Sequence, residues 1–238
     1  MSPAPDHPAH EPPTRLTGAP ILCYVTDRKI LAASESEVDR RVTDKIRGAI
    51  GAEVDWIQVR EKDWPPQKLL ALVQQAIRAS DIAKIIVNDR MDVAVAAGAA
   101  GVQLGRESAP VQEVVRWCRS GNVPSEFLIG ASCHTRSEAR EAEMAGASYL
   151  IFGPIFDTPS KRAFGEPVGT TELTRVCAAV KIPVLAIGGI GLRNARECLQ
   201  AGAAGIAAIR LFQDADNLNE LKRIVDTLRD DGRSAFTR

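Results

Sequence analysis

Short apolar runs alternate along this chain with longer stretches in which apolar residues recur every three or four positions. The runs lie at 21–26 (Ile-Leu-Cys-Tyr-Val-Thr), 54–60, 84–88 (Lys-Ile-Ile-Val-Asn), 100–104, 127–132, 148–153, 183–188 and 204–209. Their length and β-branched content predict eight strands. Between them, Val38, Val42, Ile46 and Ile50 repeat at i+4, one face of a helix, and Leu69, Leu70, Val73 and Ile77 do the same. Ser34-x-x-Glu37 and Thr135-x-x-Glu138 read as capping boxes that open helices. Gly98, Gly146 and Gly202 mark helix ends, each inside an Ala-Gly-Ala triplet that leads into a strand. Strand–helix alternation of this kind predicts an α/β fold, a single-domain (β/α)8 TIM barrel over residues 21–230. A doubly wound open sheet is the alternative. Against it, no GxGxxG opens the first helix, and the glycines cluster after strands 6 and 7.

In a barrel the chemistry sits at the C-terminal ends of the strands, and there the second run is the most telling. Gln58, Arg60 and Lys62 alternate with Ile57 and Val59, so in a strand an amide and two cations share a face. If that face points inward, the cations need an anion, because an unpaired buried charge is costly. Other strand ends add Asn88-Asp89, Ser132-Cys133-His134 and Gly188-Gly189, with Thr158, Ser160, Lys161 and Arg162 on the loop after strand 6. Asn88 and Asp89 suit a helix cap, and Asp89 equally suits Mg²⁺ beside phosphates as a hard oxygen ligand. The glycine pair suits a tight turn or backbone contact with a phosphate. The loop of 158–162 suits a lid or a solvated surface.

Composition narrows the partners. The formal net charge is zero, so bulk charge favours neither nucleic acid nor an anionic membrane, and any anion site must be local. No apolar run reaches the roughly 20 residues of a membrane helix. Five cysteines, with no CxxC pair, fit reduced thiols in a cytoplasmic protein rather than a disulfide framework or a zinc site. Residues 1–20 are proline-rich, carry His7 and His10, and read as a disordered tail. The oligomeric state stays open, a homo-oligomer included.

The ordered set Ile57-Gln58-Val59-Arg60-Glu61-Lys62-Asp63, Val87-Asn88-Asp89-Arg90, Val102-Gln103-Leu104-Gly105, Ile129-Gly130-Ala131-Ser132, Phe152-Gly153-Pro154 through Lys161, and Ile187-Gly188-Gly189-Ile190 resembles the thiamine phosphate synthase family. The resemblance spans residues 21–212 and includes the related thiazole tautomerases. It implies a transferase that condenses hydroxymethylpyrimidine pyrophosphate with thiazole phosphate through a pyrimidine-methyl cation. By the same resemblance, Arg60, Lys62 and Lys161 hold the pyrophosphate with Asn88 and Ser132, and Gln58 orients the pyrimidine. Thr158, Ser160, Gly188 and Gly189 cradle the thiazole phosphate, and Asp89 helps bind Mg²⁺. The chain departs from the family at three positions. Ser108 stands where a second metal-binding aspartate is usual, with Glu107 as a substitute ligand. Gln103 replaces a histidine. Arg210 replaces a serine near the thiazole phosphate, where it offers a stronger phosphate grip. Two other readings stay open. One is a thiazole tautomerase with His134 as acid/base, and the other a non-catalytic barrel that binds thiamine precursors.

Overall fold

All eight predicted runs form strands, each with its ends moved by at most two residues, and they are β1 (Ile21–Val25), β2 (Trp56–Val59), β3 (Lys84–Asn88), β4 (Gly101–Leu104), β5 (Leu128–Cys133), β6 (Tyr149–Phe152), β7 (Val184–Ile187) and β8 (Gly205–Ala208). In the computed structural model these pair in parallel and in chain order, and β1 pairs with β8 to close the barrel. The structure describes residues 19–31, 34–158 and 166–236. Residues 1–18 of the expected tail and the loop residues Ser160, Lys161 and Arg162 lie outside them. Helices α1 (Glu35–Gly51), α2 (Pro66–Arg78), α3 (Met91–Ala97), α4 (Val111–Trp117), α5 (Arg136–Met144), α6 (Gly169–Ala179) and α7 (Ala195–Gln200) follow the first seven strands. A short α8 (Arg210–Gln213) and the long α9 (Leu218–Phe236) follow the last. Among the described residues no helix is long and apolar enough to cross a membrane.

Parallel strands in a barrel are covered on both faces, which is why they read as continuous apolar runs. One side of each strand packs against helices, through Leu22, Tyr24, Ile57, Val59, Ile85 and Val87 among others. The other side fills the barrel with Cys23, Val25, Trp56, Ile86, Leu128, Tyr149, Ile151, Leu185 and Ala207. Trp56 and Tyr149 meet edge to face across this interior, centroids 4.7 Å apart. They give the barrel a solid floor, so a ligand can enter only above them. On α2 the buried face is Leu69, Leu72, Val73 and Ala76, while Leu70 and Ile77 are only partly covered. The i+4 series read from the sequence is rotated slightly from the true face, because Leu72 and Ala76 complete the stripe.

The Ala-Gly-Ala repeat is a repeated turn. Gly98, Gly146 and Gly202 have φ of 70°, 94° and 98°, the left-handed region that ends a helix. In each case the next alanine N–H bonds back to the helix, Ala99 to Ala94, Ala147 to Ala142 and Ala203 to Cys198. These turns feed β4, β6 and β8. The turn before β2 makes the matching bond, Val54 N–H to the Ala49 carbonyl, but Glu53 sits at φ 60° where the others have glycine.

Asp55 ties the lower rim together. Its Oδ2 accepts from the Leu22 N–H at 2.8 Å and its Oδ1 from Arg229 on α9 at 3.4 Å. Burial raises its carboxyl above the ordinary value of 3.8, against the pull of these bonds. The thiols of Cys23, Cys133 and Cys198 are likewise buried and pushed up to about 12, in keeping with unreactive packing groups.

Two outcomes follow. Glu53→Gly should raise stability by up to about 1 kcal/mol in urea unfolding, because it relieves a left-handed side chain. A loss of stability would show that Glu53 does something else. A carboxyl whose folded pKa lies above its unfolded one contributes most at low pH, and that contribution is lost as pH rises through the folded value. Thus Asp55→Asn should flatten the fall in stability as pH rises above the ordinary carboxylate range, read from melting curves across pH. An unchanged slope would refute the assignment.

Candidate active site

Above the Trp56–Tyr149 floor, four neighbouring strands turn polar side chains inward: Gln58 from β2, Asn88 from β3, Gln103 from β4 and Ser132 from β5. Gln58 and Gln103 are 4% and 1% exposed. Gly130 makes room for Gln103, since a Cβ there would lie 2.2 Å from Gln103 Oε1 and 2.3 Å from the Tyr149 ring.

Asp89 sets the polarity of this layer. It follows β3 with φ 59°, a left-handed conformation uncommon for a side-chain-bearing residue. That turn brings its carboxylate under the loop after β4. Oδ1 accepts from Ser108 Oγ at 2.5 Å and from the Gly105 N–H at 3.1 Å, and Oδ2 accepts from Asn88 Nδ2 at 2.5 Å. A carboxylate only accepts, so Asn88 must point its amino group at Asp89 and its carbonyl away. Asn88 Oδ1 then takes a bond from Gln58 Nε2 at 2.7 Å. Gln58 is left with a buried Oε1 that no donor among the described residues meets. Gln103 donates to Ser132 Oγ at 3.0 Å, and its Oε1 is also buried without a partner among the described residues. Buried acceptors are normally satisfied, so the layer is prepared for a donor from a ligand.

The cations stand beside it, though not as one strand face. β2 stops at Val59, and the chain turns through Glu61 and Trp64. Gln58 is inside the barrel and the Arg60 side chain is 29% exposed, while Lys62 lies beyond the strand and is exposed. The expected three-residue stripe is therefore two residues plus a turn. The reason is Glu61, which the sequence reading passed over. It is buried, accepts from Thr26 Oγ1 at 2.7 Å, and pairs with Arg28 at 3.2 Å. Thr26 Oγ1 in turn accepts the Arg60 N–H at 2.9 Å. Arg60 reaches Asp27 Oδ2 at 3.5 Å. Burial lifts the Glu61 carboxyl above its ordinary value, while the bonds from Thr26 and Arg28 work the other way. Arg28 also pairs with Asp63 at 2.6 Å, which holds that carboxyl well below the carboxylate range. The Arg28 guanidinium and the Lys68 ammonium lie over the Trp64 ring at 5.4 and 4.2 Å. An acid between two cations was the available sequence signal for this brace.

Across the barrel, the loop after β6 and the turn after β7 pack on each other. Ile155 N–H bonds to the Ile187 carbonyl and Phe156 N–H to Gly188. Gly188 and Gly189 have φ of 99° and 65°, and a Cβ on Gly188 would meet Pro154 at 2.5 Å. Only glycine fits this double contact, and the exposed backbone is open to a ligand. Thr158 is the last described residue on the near side of the loop. The Gly153–Pro154 peptide is cis. His134 anchors this corner, its Nδ1 at 2.5 Å from the Gly153 carbonyl and its N–H on Glu138 at 2.6 Å. Arg210 begins α8, is 59% exposed, and lies 3.8 Å from Asp214, which caps the same helix.

A carboxylate offers about four lone-pair positions, and three on Asp89 already accept protein hydrogen bonds. Glu107 is exposed, and no bond joins it to Asp89. Among the described residues no three His, Cys, Asp or Glu side chains gather as ligands. Mg²⁺ takes an octahedron of oxygens. The chain's own donors therefore do not make a resident site for such an ion.

A family model described as thiamine monophosphate synthase matches residues 22–212. The chain is 38% identical over 195 residues to a thiamine-phosphate synthase of a Roseiflexus species, covering 81% of this chain and 78% of that one. It is 37% identical over 212 residues to the thiamine-phosphate synthase of Pyrococcus furiosus, covering 86% and 94%. The solved structure of thiamine phosphate pyrophosphorylase from Pyrococcus furiosus superposes with a TM-score of 0.74 at 33% identity, covering 91% of this chain and 97% of that one. Sequence, barrel and relatives agree, and the chain belongs to the thiamine monophosphate synthase family of enzymes.

Proposed function

We propose that this protein condenses hydroxymethylpyrimidine pyrophosphate with thiazole phosphate, giving thiamine phosphate and pyrophosphate. The observation that carries this reading is the direction-fixed array running from Asp89 through Asn88 to Gln58, which opens beside Arg60. It pairs a buried acceptor, suited to an aminopyrimidine, with a cation suited to the diphosphate next to it.

The steps follow from these groups. Gln58 Oε1 accepts from the pyrimidine amino group and fixes the ring above the Trp56–Tyr149 floor. Arg60 and Lys62, with Lys161 from the loop after β6, gather the diphosphate charge. The C–O bond to the pyrimidine methylene breaks, and its electron pair leaves on the diphosphate oxygen. Positive charge fixed beside that oxygen lowers the barrier, because it stabilises charge that grows in the transition state. The thiazole nitrogen then gives its lone pair to the methylene carbon, and no proton has to move. Thr158, Ser160 and the backbone at Gly188 and Gly189 hold the thiazole phosphate so that the nitrogen faces the cation. Ser132, held by Gln103, donates its hydroxyl to the diphosphate. Glu61 acts through Thr26 and Arg28 to position Arg60.

The alternative, isomerisation of a thiazole phosphate by His134, has one observation in its favour. With Nδ1 donating to the Gly153 carbonyl, Nε2 is the basic nitrogen of the neutral ring. His134→Asn keeps a donor toward Gly153 but removes acid/base capacity. Condensation, assayed as thiamine phosphate formed, should survive this change within a small factor. Its loss together with a His134-dependent isomerase activity would favour the alternative. Arg60→Ala and Lys161→Ala should each lower kcat/KM for condensation by about a hundredfold or more. Full turnover in either variant would remove that residue from the mechanism.

A further inference from the structure

Asn194 stands just before α7, yet among the described residues its side chain caps no N–H of that helix. It turns back to the loop after β7 instead. Its Nδ2 donates to the Gly189 carbonyl at 3.0 Å, and its Oδ1 accepts the Gly191 N–H at 2.8 Å. A backbone N–H only donates, so the amide stands one way round, with its amino group on Gly189. The two carbonyls before Gly189 are held by the backbone of the loop after β6, Ile187 by the Ile155 N–H and Gly188 by the Phe156 N–H. Among the described residues the one cis peptide is Gly153–Pro154, so the peptides within this turn are trans. In a trans peptide the C=O and the N–H point in opposite directions. Holding the Gly188 and Gly189 carbonyls therefore turns the Gly189 and Ile190 N–H groups away from Phe156 and Asn194. Successive N–H groups in a turn with left-handed residues make a concavity for an anion. Glycine tolerates either sense of such a peptide, so an unheld one is free to rotate and face the anion with its carbonyl.

We propose that Asn194 is a positioning residue, which keeps the Ile190 N–H turned toward the phosphate of the thiazole substrate. This rests on the condensation reading, which puts that phosphate at the glycine turn. The peptide before it is held by backbone alone and survives any side-chain change at Phe156. The Gly189–Ile190 peptide depends on one side chain, and that makes it the variable part of the cradle. Asn194 acts through the peptide and touches no reacting atom. Its loss should therefore weaken recognition of the thiazole phosphate and spare the diphosphate, which is gathered across the barrel beside β2.

Condensation kinetics of the full chain test this, with each substrate varied in turn and melting curves recorded beside them. Asn194→Ala removes both bonds and adds no charge. Asn194→Asp keeps the acceptor for Gly191 and a residue favoured before a helix, but it has no donor for Gly189. Each variant should raise KM for the thiazole phosphate about tenfold or more, and leave KM for the pyrimidine diphosphate within about twofold. In Asn194→Asp the rise should persist at high salt, whereas simple repulsion between carboxylate and phosphate is screened there. An unchanged KM for the thiazole phosphate would overturn the inference and leave the condensation reading intact. An equal rise in both KM values, or a rise in Asn194→Asp that salt abolishes, would overturn it as well. If both variants melt far below the wild type, Asn194 is a structural residue and the inference falls. No thiamine phosphate from the wild-type protein would overturn both the inference and the reading beneath it.

Discussion

The site depends on one carboxylate held in an unfavourable backbone conformation. Asp89 tolerates a positive φ because three donors, one from β3 and two from the loop after β4, surround it. In return it removes a freedom that amides otherwise have. An asparagine or glutamine can present either its oxygen or its nitrogen to a ligand at little cost. Here Asn88 cannot turn without facing Asp89 with its carbonyl, and Gln58 cannot turn without facing Asn88 with its own. The result is an acceptor prepared before any ligand arrives, the kind of preorganisation that lets an active site avoid reorganising during reaction.

The rest of the barrel protects that arrangement. The Trp56–Tyr149 pair fills the interior beneath it, so the polar layer rests on packed rings rather than on water. Glu61 braces the β2 end from the side. The lower rim, with Asp55 and Arg229, is distant in role from the polar layer. Binding and stability are thus divided between the two ends of the strands, as the barrel architecture favours.

The eight strands were legible because each is buried on both faces and so reads as an apolar run. The three Ala-Gly-Ala turns were legible because glycine marks a left-handed residue. The fourth turn was hidden, since Glu53 adopts the same conformation without the marker residue. At the site, the resemblance pointed to Gln58, Arg60, Asn88, Asp89 and Ser132, and the structure places them at neighbouring strand ends. Lys62 falls past the end of β2, because period-two reasoning carries the strand beyond Val59. Glu61 was missed for the same reason, since a strict alternation would have sent it outward. Side-chain bonds such as Thr26 to Glu61 link residues far apart in the chain, and no local pattern announces them.

Gln213, just before the long last helix, has its own consequence. Its Oε1 accepts from the Tyr24 hydroxyl and the Asp27 N–H, and its Nε2 donates to the Asp27 carbonyl. Asp27 is the residue that meets Arg60. The seam where the first strand joins the last is therefore also the seam that sets Arg60. On a ribosome the chain grows from β1 toward α9, so Arg60 emerges early while its orientation waits for residue 213. An incomplete chain carries Arg60 without its bracing, and that geometry arrives only with the closing of the barrel.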